Sequence, residues 1–475
     1  MSRAQSKDAS NWSSPILPIK PPKAIQKRSK NAFRSPEQEN NKVLAEDHPV
    51  HNWYRFVLSY PPHLVRDYLE RFAVDRTKLV LDPFCGTGTT LVECKKLGIE
   101  CAGIEQHPMA CFASRTKLNW NTDPDGLLEH ARKIAKASTT KLRRQGIREE
   151  AESAPLFDTP QKGPRKLRSL SEDCFKLLLK DSIDPIPLHK TLVLLDTLEN
   201  HADTRFMDHE KLALAKAVVF GISNLHFGPE VGVRPGKINA PVVETWLNGV
   251  QTMAKDLRDL QRNADIKAVV HQADSRHPLR YLKQNTVDVV ITSPPYPNEK
   301  DYTRTTRLES VLLGLIRNKK ELRALKQGMI RSNTRNVYKC DDDDLLVSDH
   351  PEIIRIADAI EQRRIELGKT SGFERLYARV TKLYFGGMKR HLYDLRTALR
   401  PGAHLAYVVG DQASYLRVMI RTGQLLADLA SSIGYDVLGI DLFRTRLSTV
   451  TKEQLREEVV LLRWPGRKRR TRSSK

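Results

Sequence analysis

Residues Val287-Asp288-Val289-Val290-Ile291 form a short run rich in β-branched side chains, and it stops at Thr292-Ser293-Pro294-Pro295-Tyr296. A run of this length reads as a strand buried on both faces, which occurs in parallel sheets covered by helices. Two consecutive prolines end it, because neither has an N–H to give the ladder and each holds the residue before it extended. The carbonyls of the turn stay free as acceptors. In open α/β sheets, ligands bind beyond the carboxyl ends of the strands. A hydroxyl, two stiff acceptors and an aromatic face are thus expected together at such a place, and they suit a planar ring bearing an amino group, a nucleobase above all. A Pro-Pro-Tyr triplet taken alone is more often a stiffened surface loop.

A second stretch changes that balance. Leu79 to Thr90 reads Leu-Val-Leu-Asp-Pro-Phe-Cys-Gly-Thr-Gly-Thr-Thr, a short apolar strand running into a glycine turn, with a helix expected from about Leu91 to Leu97. Gly86 and Gly88 permit close approach of the backbone to a ligand. The turn lacks the lysine of a phosphate-binding loop and the third glycine of the dinucleotide fingerprint, which disfavours nucleoside triphosphates and NAD. Glu100-Cys101-Ala102-Gly103-Ile104-Glu105 follows as a second strand. It ends in a carboxylate roughly twenty residues past the turn, where an acid can hold a pair of ribose hydroxyls.

On these residues the chain resembles the S-adenosylmethionine-dependent DNA methyltransferases that modify exocyclic amino groups. In that family an Asp-Pro-Phe-x-Gly-x-Gly-Thr-Thr turn binds the methyl donor, and an (Asp/Asn/Ser)-Pro-Pro-(Tyr/Phe) turn holds the target base. The resemblance implies donor contacts from Asp82, Pro83, Phe84, Gly86, Gly88, Thr89 and Thr90, with Glu105 on the ribose. It places the target base on Ser293, Pro294, Pro295 and Tyr296. Asp274, closing the run Ala268-Val269-Val270-His271-Gln272-Ala273, is similar to the family's contact to the donor's adenine ring. The segments His51 to Phe56 and Tyr60 to Val65 look like the part of the family that lines the methionine end of the donor. The Thr-Ser-Pro-Pro-Tyr form is similar to that of cytosine-N4 enzymes rather than the Asp-Pro-Pro-Tyr common among adenine-N6 enzymes. The donor turn precedes the base turn, as in the unpermuted arrangement.

The remaining periodicity fits one fold class. A helix from Lys382 to Leu399, a strand from Ala403 to Asp411, a helix from Thr422 to Ile433 and strands near Tyr435 to Leu442 and Glu458 to Leu462 complete the pattern. The expected architecture is α/β: a Rossmann-like class I methyltransferase with a doubly wound, seven-stranded, mostly parallel sheet and large helical insertions. The catalytic domain is expected over 46–110 and 266–465. The interval 111–265 is too long for a loop and reads as a helical insertion; 301–372 is a second one, beside the base turn. One of the two is expected to read DNA sequence. Arg304, Arg331 and Arg335 in the second are candidate phosphate contacts, whereas the acidic run Cys340-Asp341-Asp342-Asp343-Asp344 reads as an exposed loop that repels phosphate rather than a metal site.

Charge agrees with a polyanionic partner. Lys and Arg number 79 against 57 Asp and Glu, a formal net charge of +22, and neutralised phosphates release counterions. Double-stranded DNA is the expected partner, with a cognate restriction endonuclease if the chain is part of a restriction-modification system in a prokaryotic, nucleoid-associated cytoplasmic setting. No apolar run reaches membrane-spanning length and no signal peptide is expected. Residues 1–45 and 466–475 read as disordered basic tails. The 6 cysteines show neither the paired spacing of a zinc site nor a disulfide framework, so no metal is expected. Cys85 reads as a small filler, since a cytosine-C5 enzyme needs its thiol in a Pro-Cys segment that does not occur.

Two bases satisfy the turn's chemistry, because cytosine and adenine both carry an amino group beside a ring nitrogen. Adenine-N6 methylation, methylation of a structured RNA, and a catalytically silent DNA-binding subunit are therefore the readings that compete with cytosine-N4 methylation.

Overall fold

The structure, a computed structural model, describes residues 43–466 apart from 56–58, 150–165, 229, 235, 299 and 448–453. The two expected basic tails lie almost wholly, and Phe56 wholly, outside the described residues.

Among the described residues nine strands are formed: β1 Leu79–Asp82, β2 Glu100–Ile104, β3 Leu225–Phe227, β4 Val231–Val233, β5 Ala268–His271, β6 Val287–Thr292, β7 Leu399–Gly410, β8 Asp436–Leu447 and β9 Gln454–Arg463. Seven make one sheet in the order β5-β2-β1-β6-β7-β9-β8, and β3 with β4 makes a separate hairpin. The first five strands of that order pair in parallel, while β9 is antiparallel to both β7 and β8. This is the doubly wound, mostly parallel, Rossmann-like sheet that the sequence predicts. Its direction of winding reverses between β1 and β6, where such sheets open a crevice.

Both faces of the sheet are covered, which is why its strands read as unbroken apolar runs. Val80, Val289, Ile291, Ala406, Val408, Val459 and Leu461 point into one core. Their alternates Leu81, Val290, Leu405, Tyr407, Val409, Val460 and Leu462 point into the other. Helices Pro62–Arg71, Thr89–Lys96 and Pro108–Leu118 feed the first core; Tyr377–Leu395 and Thr422–Ser432 feed the second. Strands β8 and β9 are longer than their apolar stretches. Their outer part is carried by a cross-strand ion pair, Arg444 Nε to Glu457 Oε2 at 2.6 Å, instead of an apolar pattern.

Helix Pro108–Leu118 packs beside Thr89–Lys96 and β5, so the expected boundary at 111 falls inside an element that belongs to the sheet. The helices of the following interval, Pro124–Arg144, Pro185–Asn200, Met207–Lys216 and Val242–Leu260, extend the first core. The segment before the sheet is tied to both excursions. Trp53 Nε1 donates to Asp256 Oδ2 at 2.8 Å, and Tyr54 Oη donates to the buried Glu309 Oε1 at 2.5 Å.

Two expectations for the second excursion are corrected. Arg331 is no phosphate contact: its side chain is 4% exposed and bidentate to Asp341, with Nη2 to Oδ1 at 2.7 Å and Nε to Oδ2 at 2.9 Å. The acidic run is only partly an exposed loop: Cys340 and Asp342 are exposed, whereas Asp341 and Asp343 form an internal clasp. Asp343, 4% exposed, takes Arg276 Nη1 at 2.7 Å and Arg390 Nε at 2.6 Å. Gly386 of helix Tyr377–Leu395 admits this clasp, because a Cβ there would collide with the Asp343 carbonyl. Among the described residues, no His, Cys, Asp and Glu cluster is disposed to hold a metal, and no helix is long and apolar enough to cross a membrane.

Removing one partner of a buried pair strands the other charge. Asp343→Ala is therefore expected to lower the unfolding free energy in urea by about 3 kcal/mol. Asp342→Ala, at a side chain 71% exposed, is expected to change it by less than ~0.5 kcal/mol. Equal effects of the two contradict the clasp.

Candidate active site

Strands β1 and β6 are parallel neighbours in register Val80 with Val289 and Leu81 with Val290. Their carboxyl ends therefore stop level with each other. Thr292 Oγ1, at the end of β6, donates to Asp82 Oδ1, at the end of β1, at 2.6 Å. The same carboxylate accepts from Tyr60 Oη at 3.0 Å and from the Phe84 N–H at 3.1 Å. Thr90 Oγ1 bonds the Tyr60 hydroxyl and donates to the Ile291 carbonyl at 3.1 Å. Burial pushes the Asp82 carboxyl up to about 6, while its hydrogen-bond donors pull it down.

The two turns beyond these strand ends face one cavity of about 520 Å³, within the ~300–1,000 Å³ of small-ligand clefts. Pro83, Phe84, Cys85, Gly86, Thr87 and Thr89 line it from the glycine turn. Ser293, Pro294, Pro295 and Tyr296 line it from the other turn. Asp82, Gly88 and Thr90 do not reach it. Asp82 is wholly buried behind the turn, and the place of a Cβ on Gly88 is 2.5 Å from Ser114 Oγ. Gly86 differs: its φ is +51° and nothing stands within 4 Å of where its Cβ would be. Its N–H donates to Glu105 Oε2 at 2.8 Å, and the His107 N–H donates to Oε1 at 2.7 Å. Glu105 lines the cavity, and burial pushes its carboxyl up to about 7 against those two bonds. Burial also raises the Cys85 thiol well above its usual range, so it is no thiolate nucleophile.

In the other turn, Ser293 Oγ donates to the Val408 carbonyl at 3.2 Å. Its hydrogen is thereby directed at the sheet, and with the Tyr296 hydroxyl as a neighbour its oxygen keeps one lone pair to accept from a ligand. The Tyr296 ring lies against the end of β7, where a Cβ on Gly410 would come within 2.9 Å of Cε2. Phe84 meets His391 edge to face, with ring centroids 4.8 Å apart.

Asp274 is corrected. Its carboxylate is bidentate to Arg276, Oδ2 to Nη2 at 2.7 Å and Oδ1 to Nε at 3.1 Å, and its neighbours Ala273 and Ser275 line the cavity in its place. Arg304 and Arg335 stand outside the lining. Arg304 lies 3.8 Å from Glu230, and Arg335 covers the Phe373 ring at 5.8 Å. Lining residues that the sequence did not single out include Met329, Ile330 and Ser332 from the second excursion, Lys300 just past the base turn, and Arg444 and Arg446 from β8. The only available signal for the arginines was their i, i+2 spacing, which puts both on one face of a strand.

A family model of N6/N4 methyltransferases, described as DNA methylase, matches residues 3–115, a stretch that holds the glycine turn and Glu105. The chain is 26% identical over 476 residues to the type II methyltransferase M.BsoBI of Geobacillus stearothermophilus, which covers 92% of this chain and 90% of that protein. It is 24% identical over 451 residues to the type II methyltransferase M.AvaI of a Nostoc species, covering 87% and 86%. A shorter likeness, 39% over 70 residues, joins it to the type II methyltransferase M.MjaII of Methanocaldococcus jannaschii, covering 14% and 13%.

Thr292→Val removes one donor from the buried Asp82 carboxylate and is expected to lower the unfolding free energy by about 2 kcal/mol. The sign with pH follows from the raised Asp82 pKa. Below about 6 the folded state holds the neutral acid, which needs the donor less, so the loss is expected to be larger at alkaline than at acidic pH. Urea unfolding on either side of that pKa checks this, and a pH-independent loss contradicts it.

Proposed function

The chain belongs to the S-adenosylmethionine-dependent DNA methyltransferases that modify exocyclic amino groups, and we propose that it methylates N4 of a cytosine swung out of duplex DNA. The observation that carries the proposal is the placement of the Ser293 hydroxyl. It shares a cavity with the backbone of the glycine turn, and its hydrogen is committed to Val408. The serine form of the turn, similar to that of cytosine-N4 enzymes, favours cytosine over adenine.

The cradle fits the donor. Gly86 leaves open space where a side chain would stand, and Glu105 offers a carboxylate already fixed by two N–H groups. We assign Pro83, Phe84, Gly86 and Thr89 to the donor's binding surface, Glu105 to its ribose hydroxyls, and Asp82, Gly88 and Thr90 to holding the turn in shape. The donor supplies an electrophilic methyl group on a sulfonium sulfur.

The chain's own residues prepare the nucleophile. The lone pair of an aromatic amine is delocalised into the ring and attacks poorly. Ser293 Oγ and the Pro294 carbonyl accept its two hydrogens and turn the lone pair out of the ring plane. Tyr296 offers its face to the extruded base, which can be reached only outside the stack. As nitrogen bonds to carbon, positive charge grows on nitrogen, and the same two acceptors stabilise it. The surplus proton leaves to water. Most of the acceleration comes from holding the reacting atoms in line at contact distance.

Identifying the modified nucleoside by mass, after digesting DNA from cells that express the protein, tests the proposal. N4-methylcytosine is expected, N6-methyladenine contradicts the base assignment, and modification confined to RNA contradicts the substrate. The type II relatives support the further proposal that this mark blocks a cognate restriction endonuclease.

Ser293→Ala is expected to lower turnover by about 100-fold with donor affinity unchanged, and an unchanged rate removes the serine from the mechanism. Gly86→Val is expected to abolish donor binding in equilibrium dialysis; normal binding contradicts the assignment of the cradle. Glu105 must be ionised to accept two hydroxyls, and in the free protein it is held up to about 7. Donor affinity is thus expected to rise with pH through that value and then level off, with a proton released on binding. Glu105→Gln is expected to bind weakly and without that dependence, as read by calorimetry.

A further inference from the structure

The mouth of the cavity is built from three separate parts of the chain. Lys300 comes from just past the base turn, Glu230 from the edge of the β3–β4 hairpin, and Arg444, Arg446 and Glu457 from the β8–β9 hairpin. The β7–β9 ladder ends at Gly410 paired with Glu457. Beyond that rung β8 and β9 pair on through Thr445 with Arg456, Arg446 with Leu455 and Leu447 with Gln454. The hairpin thus runs past the sheet beside the opening, and Arg444 and Arg446, two residues apart, lie on the same face of it.

Among the described residues, the charges at this mouth do not cancel. Arg444 is satisfied by Glu457, with Nε to Oε2 at 2.6 Å and Nη2 to Oε1 at 2.8 Å. Glu230 lies 3.8 Å from Arg304. Arg446, its side chain 43% exposed, reaches no nearer than 3.9 Å to a carboxylate already engaged by Arg444. Lys300 is half-buried; burial first and the nearby Arg446 guanidinium second lower its pKa, against the opposing pull of the Glu230 and Glu457 carboxylates. Its backbone is held at both ends: its N–H donates to Asn298 Oδ1 at 2.9 Å and its carbonyl accepts from Asn333 Nδ2 at 3.2 Å. Among the described residues, four cations, Lys300, Arg304, Arg444 and Arg446, thus share two carboxylates, Glu230 and Glu457, at this opening. An anion joining them is favoured.

We propose that Lys300 and Arg446 seat a backbone phosphate of the DNA strand whose base enters the cavity. The proposal rests on the reading of the protein as a DNA methyltransferase. Neither side chain belonged to the arginine set that the sequence suggested, and both line the same cavity as the base turn. One phosphate between two cations pins the strand without reading sequence, so it serves every target sequence alike. Arg444, neutralised by Glu457, holds the hairpin in place for Arg446.

The test is binding of a duplex by the full chain, followed by fluorescence anisotropy at several salt concentrations, with wild type, Lys300→Gln and Arg446→Gln. Each variant is expected to bind roughly tenfold more weakly at physiological salt, for target and unrelated duplexes alike, and to lose about 0.9 from the slope of log affinity against log salt. Arg446→Lys keeps the charge and is expected to keep the slope. Donor affinity, measured by calorimetry on the same samples, is expected to equal wild type and so reports an intact cavity. Wild-type affinity and slope in both glutamine variants overturn the proposal, as does loss confined to the target duplex. A wild-type protein that leaves DNA unmodified sinks the functional reading instead, and this proposal with it.

Discussion

One buried hydrogen bond, Thr292 Oγ1 to Asp82 Oδ1, joins the ends of two parallel strands and sets the relation between the two turns that follow them. Each turn is stiff in itself: one through its prolines, the other through a glycine at positive φ whose N–H is held by Glu105. Stiff turns on independently drifting strands would still face each other loosely. The shared carboxylate, with Tyr60 and the Phe84 N–H as further donors, makes them a single unit. A methyl transfer that depends on alignment of three atoms needs that rigidity.

The same junction explains why Asp82 and Thr90 are buried instead of facing the cavity. A carboxylate that contacted a ligand directly would have to exchange partners at every turnover. Asp82 keeps its partners, and the neighbouring backbone of Pro83 to Gly86 presents the binding surface. Ionisable groups around the cavity are poised differently. Glu105, held near neutrality, can respond to a ligand. Cys85, with its thiol driven up, stays inert filler in a turn where reactivity would be a liability.

The sheet and both turns were legible in the sequence because their determinants are local: an apolar run, two prolines, two glycines, a carboxylate at the next strand end. The misreadings share a cause. Asp274 is claimed by an arginine two residues on, Arg331 by Asp341, and Asp343 by Arg276 and Arg390, from which 67 and 47 residues separate it. A charge on a polar segment looks solvated or free for a ligand until its partner is known, and which near or remote charge it takes is set by the fold. The outer β8–β9 hairpin was shortened for a similar reason, since its pairing is carried by charged side chains that leave no apolar alternation. The helical insertion after Leu118 was visible as excess length, but its helices pack into the first core through contacts that length does not reveal.

If the two turns form one working crevice, a single compound that fills both should gain from each. The most direct measurement is the affinity of a bisubstrate ligand, a cytosine joined through its amino nitrogen to the donor at the position of the transferred methyl, compared with that of the donor alone. The account predicts a gain of about 100-fold or more, lost on substitution of Ser293 or Gly86. Affinity no better than that of the donor fragment would mean that the turns do not act on one pair of reacting atoms.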